Sequence, residues 1–190
     1  MESPDTKDRG RPYVIILSGT HVTGKETLAI NIASNLGCRW IKSEMMHTAA
    51  EKAARIQSQR GLEYSAVFGR VYSSKLRQVG FEFGGSDKLL AVVSCFHMTP
   101  FERNAMRQTM LERNVKPIFV ILQITTETLS GRTLGAEEPE LAASIMAIKA
   151  SHIQQPLEGE KDVIIIDSMR DVDTLAAQMT AALQERIGFA

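Results

Sequence analysis

A lysine behind two glycines is where chemistry can begin in this chain. Gly19, Thr20, His21, Val22, Thr23, Gly24 and Lys25 match the spacing G-x-x-x-x-G-K. In such a loop the glycines let the backbone curl until successive N–H groups face inward. A helix opening directly behind it adds partial positive charge, so Lys25 would reach the β- and γ-phosphates of a bound nucleotide. The next position is Ser or Thr in such loops, because its hydroxyl holds Mg2+; here it is Glu26. Carboxylate oxygen also suits this hard cation, which makes Glu26 the candidate metal ligand. Without a metal, Glu26 would repel a phosphate. Thr27 lies about 100° further round a helix and cannot simply replace the missing hydroxyl, but it stays among the cofactor-binding candidates. At average glycine usage a bare G-x-x-x-x-G-K arises by chance in roughly one chain in twenty of this length. The flanking elements must therefore decide whether the match means anything.

Those elements favour it. Val14–Leu17 is an apolar run short enough for a buried parallel strand, and Glu26–Leu36 reads as a helix with Gly37 as its stop. Arg39–Ile41 is a short second strand. Lys42–His47 follows at its C-terminal edge, where open α/β sheets build their sites. There Glu44 is a candidate general base for a substrate hydroxyl, or alternatively a capping carboxylate for the next helix, and His47 is a candidate for orienting substrate. Helices are expected over Thr48–Gln57 and Tyr64–Val79, and a third strand over Lys88–Cys95. Thr99 should cap a helix running from Pro100 to about Asn114. A fourth strand spans Ile118–Ile124, a helix Thr125–Leu134, and an acidic break Gly135–Glu140. A helix over Leu141–Ile153, a fifth strand over Asp162–Asp167 and a closing helix over Asp171–Ile187 complete the order. Near-continuous apolar strands alternating with helices predict an α/β fold, a five-stranded parallel sheet with helices on both faces.

The remaining side chains divide by chemistry. Arg70, Arg103 and Arg132 are candidates for gripping an acceptor carboxylate or nucleotide phosphates in forked geometry. Met45 and Met46 read as core filling. Cys95 ends a strand without a histidine that the sequence can pair with it, which argues against a nucleophile. The 190 residues carry 22 Lys+Arg against 22 Asp+Glu, with 44% hydrophobic residues. That balance gives no global argument for nucleic acid or an anionic membrane. Two cysteines fit reduced thiols better than a disulfide framework. Residues 1–12 are polar without a signal-peptide core and read as a tail, leaving one domain over 13–190. The expectation is a cytoplasmic protein whose partner is a small-molecule substrate, with neither nucleic acid nor membrane, and with a homodimer left open.

The chain resembles the gluconokinase group of small P-loop kinases, within the nucleoside-monophosphate and shikimate kinase fold. GTHVTGKE, a helix of equal length and IKSEMMHT follow that group's G-x-x-G-x-G-K-S and L-D-G-D-x-L-H-P, placing Glu44 on its second aspartate and His47 on its histidine. AVVSCFHMTPFER resembles its V-V-C-S-A-L-K-x-x-Y-R segment, with Arg103 on the arginine. Arg132 resembles the arginine that opens the lid, and DVIIID the terminal strand. The resemblance implies a three-layer P-loop kinase fold and an ATP- and Mg2+-dependent phosphotransferase acting on a small hydroxylated metabolite, a sugar acid such as gluconate. It implies Lys25, Glu44 and His47 as catalytic residues, with Glu44, His47 and Arg103 on the substrate; Arg70 stands beside them as a substrate-binding candidate from its residue type alone. The departures sit at chemical positions: Glu26 for serine, Lys42 for the first aspartate, Ser43 for glycine, Thr99 for lysine, and GAEEPEL where a basic lid is usual. They keep an alternative in view. In it the P-loop scaffold is repurposed, without kinase activity, as a nucleotide-sensing or interaction protein or as an enzyme using the cleft for acid–base chemistry.

Overall fold

The computed structural model describes residues 11–19, 24–82, 88–95, 98–125, 137–151, 156–168 and 170–187. Five strands, β1 (Tyr13–Ser18), β2 (Arg39–Lys42), β3 (Leu89–Cys95), β4 (Lys116–Gln123) and β5 (Val163–Asp167), form one sheet in the order β2-β3-β1-β4-β5. Every pairing is parallel, as the apolar runs predict. β1 is central, with Ile16 in register with Val93 on one side and Phe119 on the other. The described helices are α1 (Lys25–Asn35), α2 (Glu44–Ser58), α3 (Tyr64–Gln78), α4 (Pro100–Glu112), α5 (Pro139–Ser151) and α6 (Val172–Ile187).

Side chains alternate across a strand, so β1 feeds two cores at once. Val14 and Ile16 join Phe68, Tyr72, Met106 and Met110 from α3 and α4 on one face. Ile15 and Leu17 join Leu28 and Ile32 of α1 and Leu175, Met179 and Leu183 of α6 on the other. Burial on both faces is why the strand reads as an unbroken apolar run. Two tight features hold the layers. Gly37 (φ 63) ends α1 in a left-handed turn, with Cys38 N–H donating to Ala33 O and Gly37 N–H to Ser34 O. At Gly69, a Cβ would lie 2.3 Å from Thr109 Oγ1 and 3.0 Å from Ala105 O, so α3 and α4 meet backbone to side chain there.

Several boundaries differ from the sequence expectation. β4 begins at Lys116 and takes Pro117 inside it. This is tolerable because β5 joins only at Phe119, leaving Pro117 with β1 as its single neighbour. The expected tail gives out before its end, since Pro12 O accepts from Lys116 N–H. α2 starts at Glu44 rather than Thr48. The helix expected over Thr125–Leu134 lies outside the described residues apart from Thr125. Among the described residues, no helix is long and apolar enough to cross a membrane.

Candidate active site

The strand–loop–helix unit delivers Lys25 to the C-terminal edge of the sheet. Gly24, the N-cap of α1, has φ 72, a left-handed conformation that glycine adopts without a Cβ penalty. Lys25 follows as the first helical residue, and its side chain is only 3% exposed. A solvated first-turn lysine is thereby ruled out. Its Nζ lies 2.8 Å from Glu44 Oε1 and donates to Gly19 O at 3.5 Å.

Glu44 is placed by the residue before it. Ser43 N–H and Oγ–H both donate to Ser94 O at the end of β3, and Ser43 Oγ lies 2.7 Å from Tyr72 Oη. Those bonds fasten the β2–α2 turn to the sheet and explain a serine with no exposure at the family's glycine position. Glu44 is therefore no cap. Its carboxylate points at the lysine, and its Oε2 is buried without a hydrogen-bond partner among the described residues. Buried polar groups are nearly always satisfied, so the orphaned oxygen marks where something else can bind.

A second, exposed pair lies outside the first. Lys42 Nζ is 2.6 Å from Glu26 Oε1. The hydrogen bond to Glu26, reinforced by the charges of Glu26 and Glu44, holds the Lys42 ammonium above its ordinary range. Two positions that depart from the family pattern thus meet each other, and opposite charges alternate across the mouth. Magnesium is held by one or two carboxylates together with phosphate oxygens and water. Glu26 and the free oxygen of Glu44 suit that role, so the residues present fit an ion shared with a nucleotide. No cluster of three or more His, Cys, Asp or Glu that could cage a metal occurs among the described residues.

The other candidates separate. Thr27 is exposed on the first turn of α1. Thr20, His21, Val22, Thr23 and Arg132 lie outside the described residues. His47 is 1% exposed, edge-on to Phe68 at 5.3 Å and to Tyr72 at 6.4 Å, with Nε2 3.5 Å from Glu102 Oε2. That makes it a packed core histidine and not a group open to substrate. Arg103 is not exposed at all. Its Nη2 and Nε donate to Glu160 at 2.6 and 3.0 Å, and its Nη1 to Met98 O. A guanidinium so enclosed ties the β5 approach to α4 and has no face for an acceptor. Arg70 lines a separate groove of about 380 Å3 between α3 and α4, with Arg77 and Arg113. Met45, expected in the core, is 88% exposed because it falls on the outer side of α2, while Met46 packs inward. Burial pushes the Cys95 thiol up to about 12, which leaves no thiolate for nucleophilic chemistry.

Two carboxylates escaped the sequence reading. Glu102 closes a reciprocal cap on α4: its Oε2 accepts from Thr99 N–H at 2.9 Å, and Thr99 Oγ1 accepts from Glu102 N–H. The signal was present as T-x-x-E, the capping-box spacing. Burial works to raise its pKa, yet His47, the Thr99 N–H and the Tyr64 hydroxyl together hold it below the ordinary carboxylate range. Glu160, the partner of Arg103 and Arg107, had no local signal. Glu102 also walls a cleft of about 520 Å3 between α2, α3 and the start of α4.

No protein-family model matches the chain. It is similar to a probable gluconokinase of Schizosaccharomyces pombe, 23% identical over 154 residues that cover 81% of this chain and 79% of that protein. Among solved structures, it resembles a sugar kinase from Janibacter sp. HTCC2649 with a TM-score of 0.61 at 16% identity, covering 92% of this chain and 95% of that one. A gluconokinase from Sinorhizobium meliloti 1021 superposes with a TM-score of 0.59 at 18% identity, covering 95% and 98%. At such identities the solved structures speak for the fold. The α/β architecture, a parallel sheet with helices on both faces, is therefore one this chain shares with those kinases, and its sequence is similar to that of a probable gluconokinase.

Proposed function

We propose that the protein is an ATP-dependent kinase that phosphorylates a hydroxyl group of a small metabolite. The observation carrying this reading is the buried Lys25–Glu44 pair at 2.8 Å, at the C-terminal edge of the central strands. With no nucleotide bound, each charge neutralises the other. A triphosphate seated on the loop would draw Lys25 to its phosphates, freeing Glu44 to take the acceptor's proton as the hydroxyl oxygen attacks the γ-phosphorus and ADP leaves. Glu26 and the orphaned oxygen of Glu44 would hold magnesium, which would supply positive charge against that of the phosphates. Gluconate, named by the relatives, is the reference acceptor.

The test is calorimetric titration of ATP with and without Mg2+, on the wild type and Lys25→Ala. Magnesium-dependent binding that vanishes in the variant supports the kinase, and ADP release in the presence of acceptors then measures transfer. Absence of binding in both proteins refutes it. That result would select the repurposed scaffold, which one observation favours: Glu26, the candidate metal ligand, is already paired with Lys42.

A further inference from the structure

We propose that the groove between α3 and α4 is a second ligand site, which takes a small phosphorylated molecule on Arg70 and Ser73. The groove shares no lining residue with the Lys25–Glu44 pair or the Glu26–Lys42 pair, so this site stands apart from the kinase reading. Arg70, Ser73 and Arg77 follow one another at i, i+3 and i+7, which is one face of α3. Gln108 and Glu112, at i and i+4 on α4, line the opposite wall. The missing Cβ of Gly69 lets Thr109 and the Ala105 carbonyl come close, and that contact brings the two walls together.

The charge of the groove suits an anion. Its described lining holds three guanidinium groups, Arg70, Arg77 and Arg113, and one carboxylate, Glu112. Two of the three arginines have local reasons for their places. Arg77 lies in the last turn of α3 and Arg113 at the C-cap of α4, where cations meet the negative ends of helices, and both make other interactions. Arg70 sits in the middle of α3, exposed and with no hydrogen-bond or ion-pair partner among the described residues. Its forked donors are left for a ligand.

An exposed arginine can be satisfied by water; a buried hydroxyl cannot. Ser73, one turn on from Arg70, lines the groove at 3% exposure, and its Oγ has no hydrogen-bond partner among the described residues. Buried polar groups are nearly always satisfied, so this hydroxyl marks a place for a ligand's acceptor oxygen. A phosphate monoester carries nearly two charges and three terminal acceptor oxygens. It can meet the Arg70 guanidinium, the Ser73 hydroxyl and the Gln108 amide together, where a carboxylate offers two oxygens and one charge. A volume of about 380 Å3 is on the scale of a small molecule. With 22 basic against 22 acidic residues, the chain supplies no wider field for a polyanion.

Amide NMR titrations with glucose 6-phosphate, glucose and gluconate read the groove directly. Glucose 6-phosphate should saturably shift the amides of α3 and α4 that border it, while glucose and gluconate leave them in place at the same concentrations. Arg70→Glu should weaken binding about tenfold or more. Ser73→Ala should weaken it about fivefold without loss of stability, because it removes an unsatisfied hydroxyl. Lys52→Glu makes the same charge change at an exposed site on α2 outside the groove, and it should bind like the wild type. So should Lys25→Met/Glu44→Leu. Four results overturn the inference: no saturable shift at the groove, gluconate matching glucose 6-phosphate there, Ser73→Ala binding as tightly as the wild type, or Lys52→Glu weakening binding as much as Arg70→Glu. Binding that Lys25→Met/Glu44→Leu loses and Arg70→Glu keeps overturns it too, and would put the phosphate on the glycine loop in support of the kinase reading.

Discussion

Removing Lys25 should unsettle the fold as well as the site, and the two effects can be separated. Lys25 Nζ and Glu44 Oε1 are 2.8 Å apart, with side chains 3% and 7% exposed. At an effective dielectric of about 20, the Coulomb attraction at that distance is roughly 6 kcal/mol, while desolvating the two ions costs several kcal/mol each. The net worth of the pair is small, but truncating one partner strands the other. Lys25→Ala should therefore cost about 3–5 kcal/mol. With a urea slope of about 2 kcal/mol per molar, the unfolding midpoint would fall by roughly 1.5–2.5 M. In the double variant Lys25→Met/Glu44→Leu both charges are gone and the space is filled with apolar side chains. Its midpoint should return to within about 0.5 M of wild type, since such swaps are often neutral or stabilising. ATP binding should be absent from both variants. Urea melts followed by circular dichroism, with calorimetry for ATP, make the measurement. If Lys25→Ala unfolds at the wild-type midpoint, or if the double variant is no better than the single, the pair is not buried and coupled as described.

Two further outcomes follow from the packing around that site. Arg103 holds Glu160 well down, to about 2, against the burial that would raise it. A carboxylate lowered on folding contributes stability that is complete above about pH 4.5 and is lost as pH falls toward 2. Allowing for screening at a partly exposed carboxylate, the loss should be on the order of 2 kcal/mol. Urea midpoints for wild type and Glu160→Gln should then differ at pH 6 and converge near pH 2.5; a constant gap across that range would refute the coupling. Gly69→Ala should destabilise by about 1–3 kcal/mol through overpacking, because its new Cβ meets Thr109 Oγ1 at 2.3 Å and Ala105 O at 3.0 Å. Adding Thr109→Ala should recover only part of this, since the carbonyl stays, and full recovery would show that the helix backbones are free to separate.

The amino-acid sequence determined the alternating strands and helices, the opening of a helix directly behind Gly24, the glycine stop after α1 and the Thr99 cap. These are legible because their causes are local: runs of apolar residues, periods of two or 3.6, and residue types that favour one backbone conformation. The likeness of GTHVTGKE and IKSEMMHT to the gluconokinase group likewise needed no coordinates. What residues do with their charges was not local. Tertiary structure alone decided that Lys25 meets Glu44, that Glu26 meets Lys42, and that His47 is walled in by Phe68, Tyr72 and Glu102. It also turned Arg103 from a substrate-binding candidate into a strut, through a carboxylate 57 positions away. Helix and strand periods place a side chain on a face. Only the packing of one face against another selects its counter-ion, because in a parallel α/β sheet the groups that meet at the C-terminal edge come from separate crossovers.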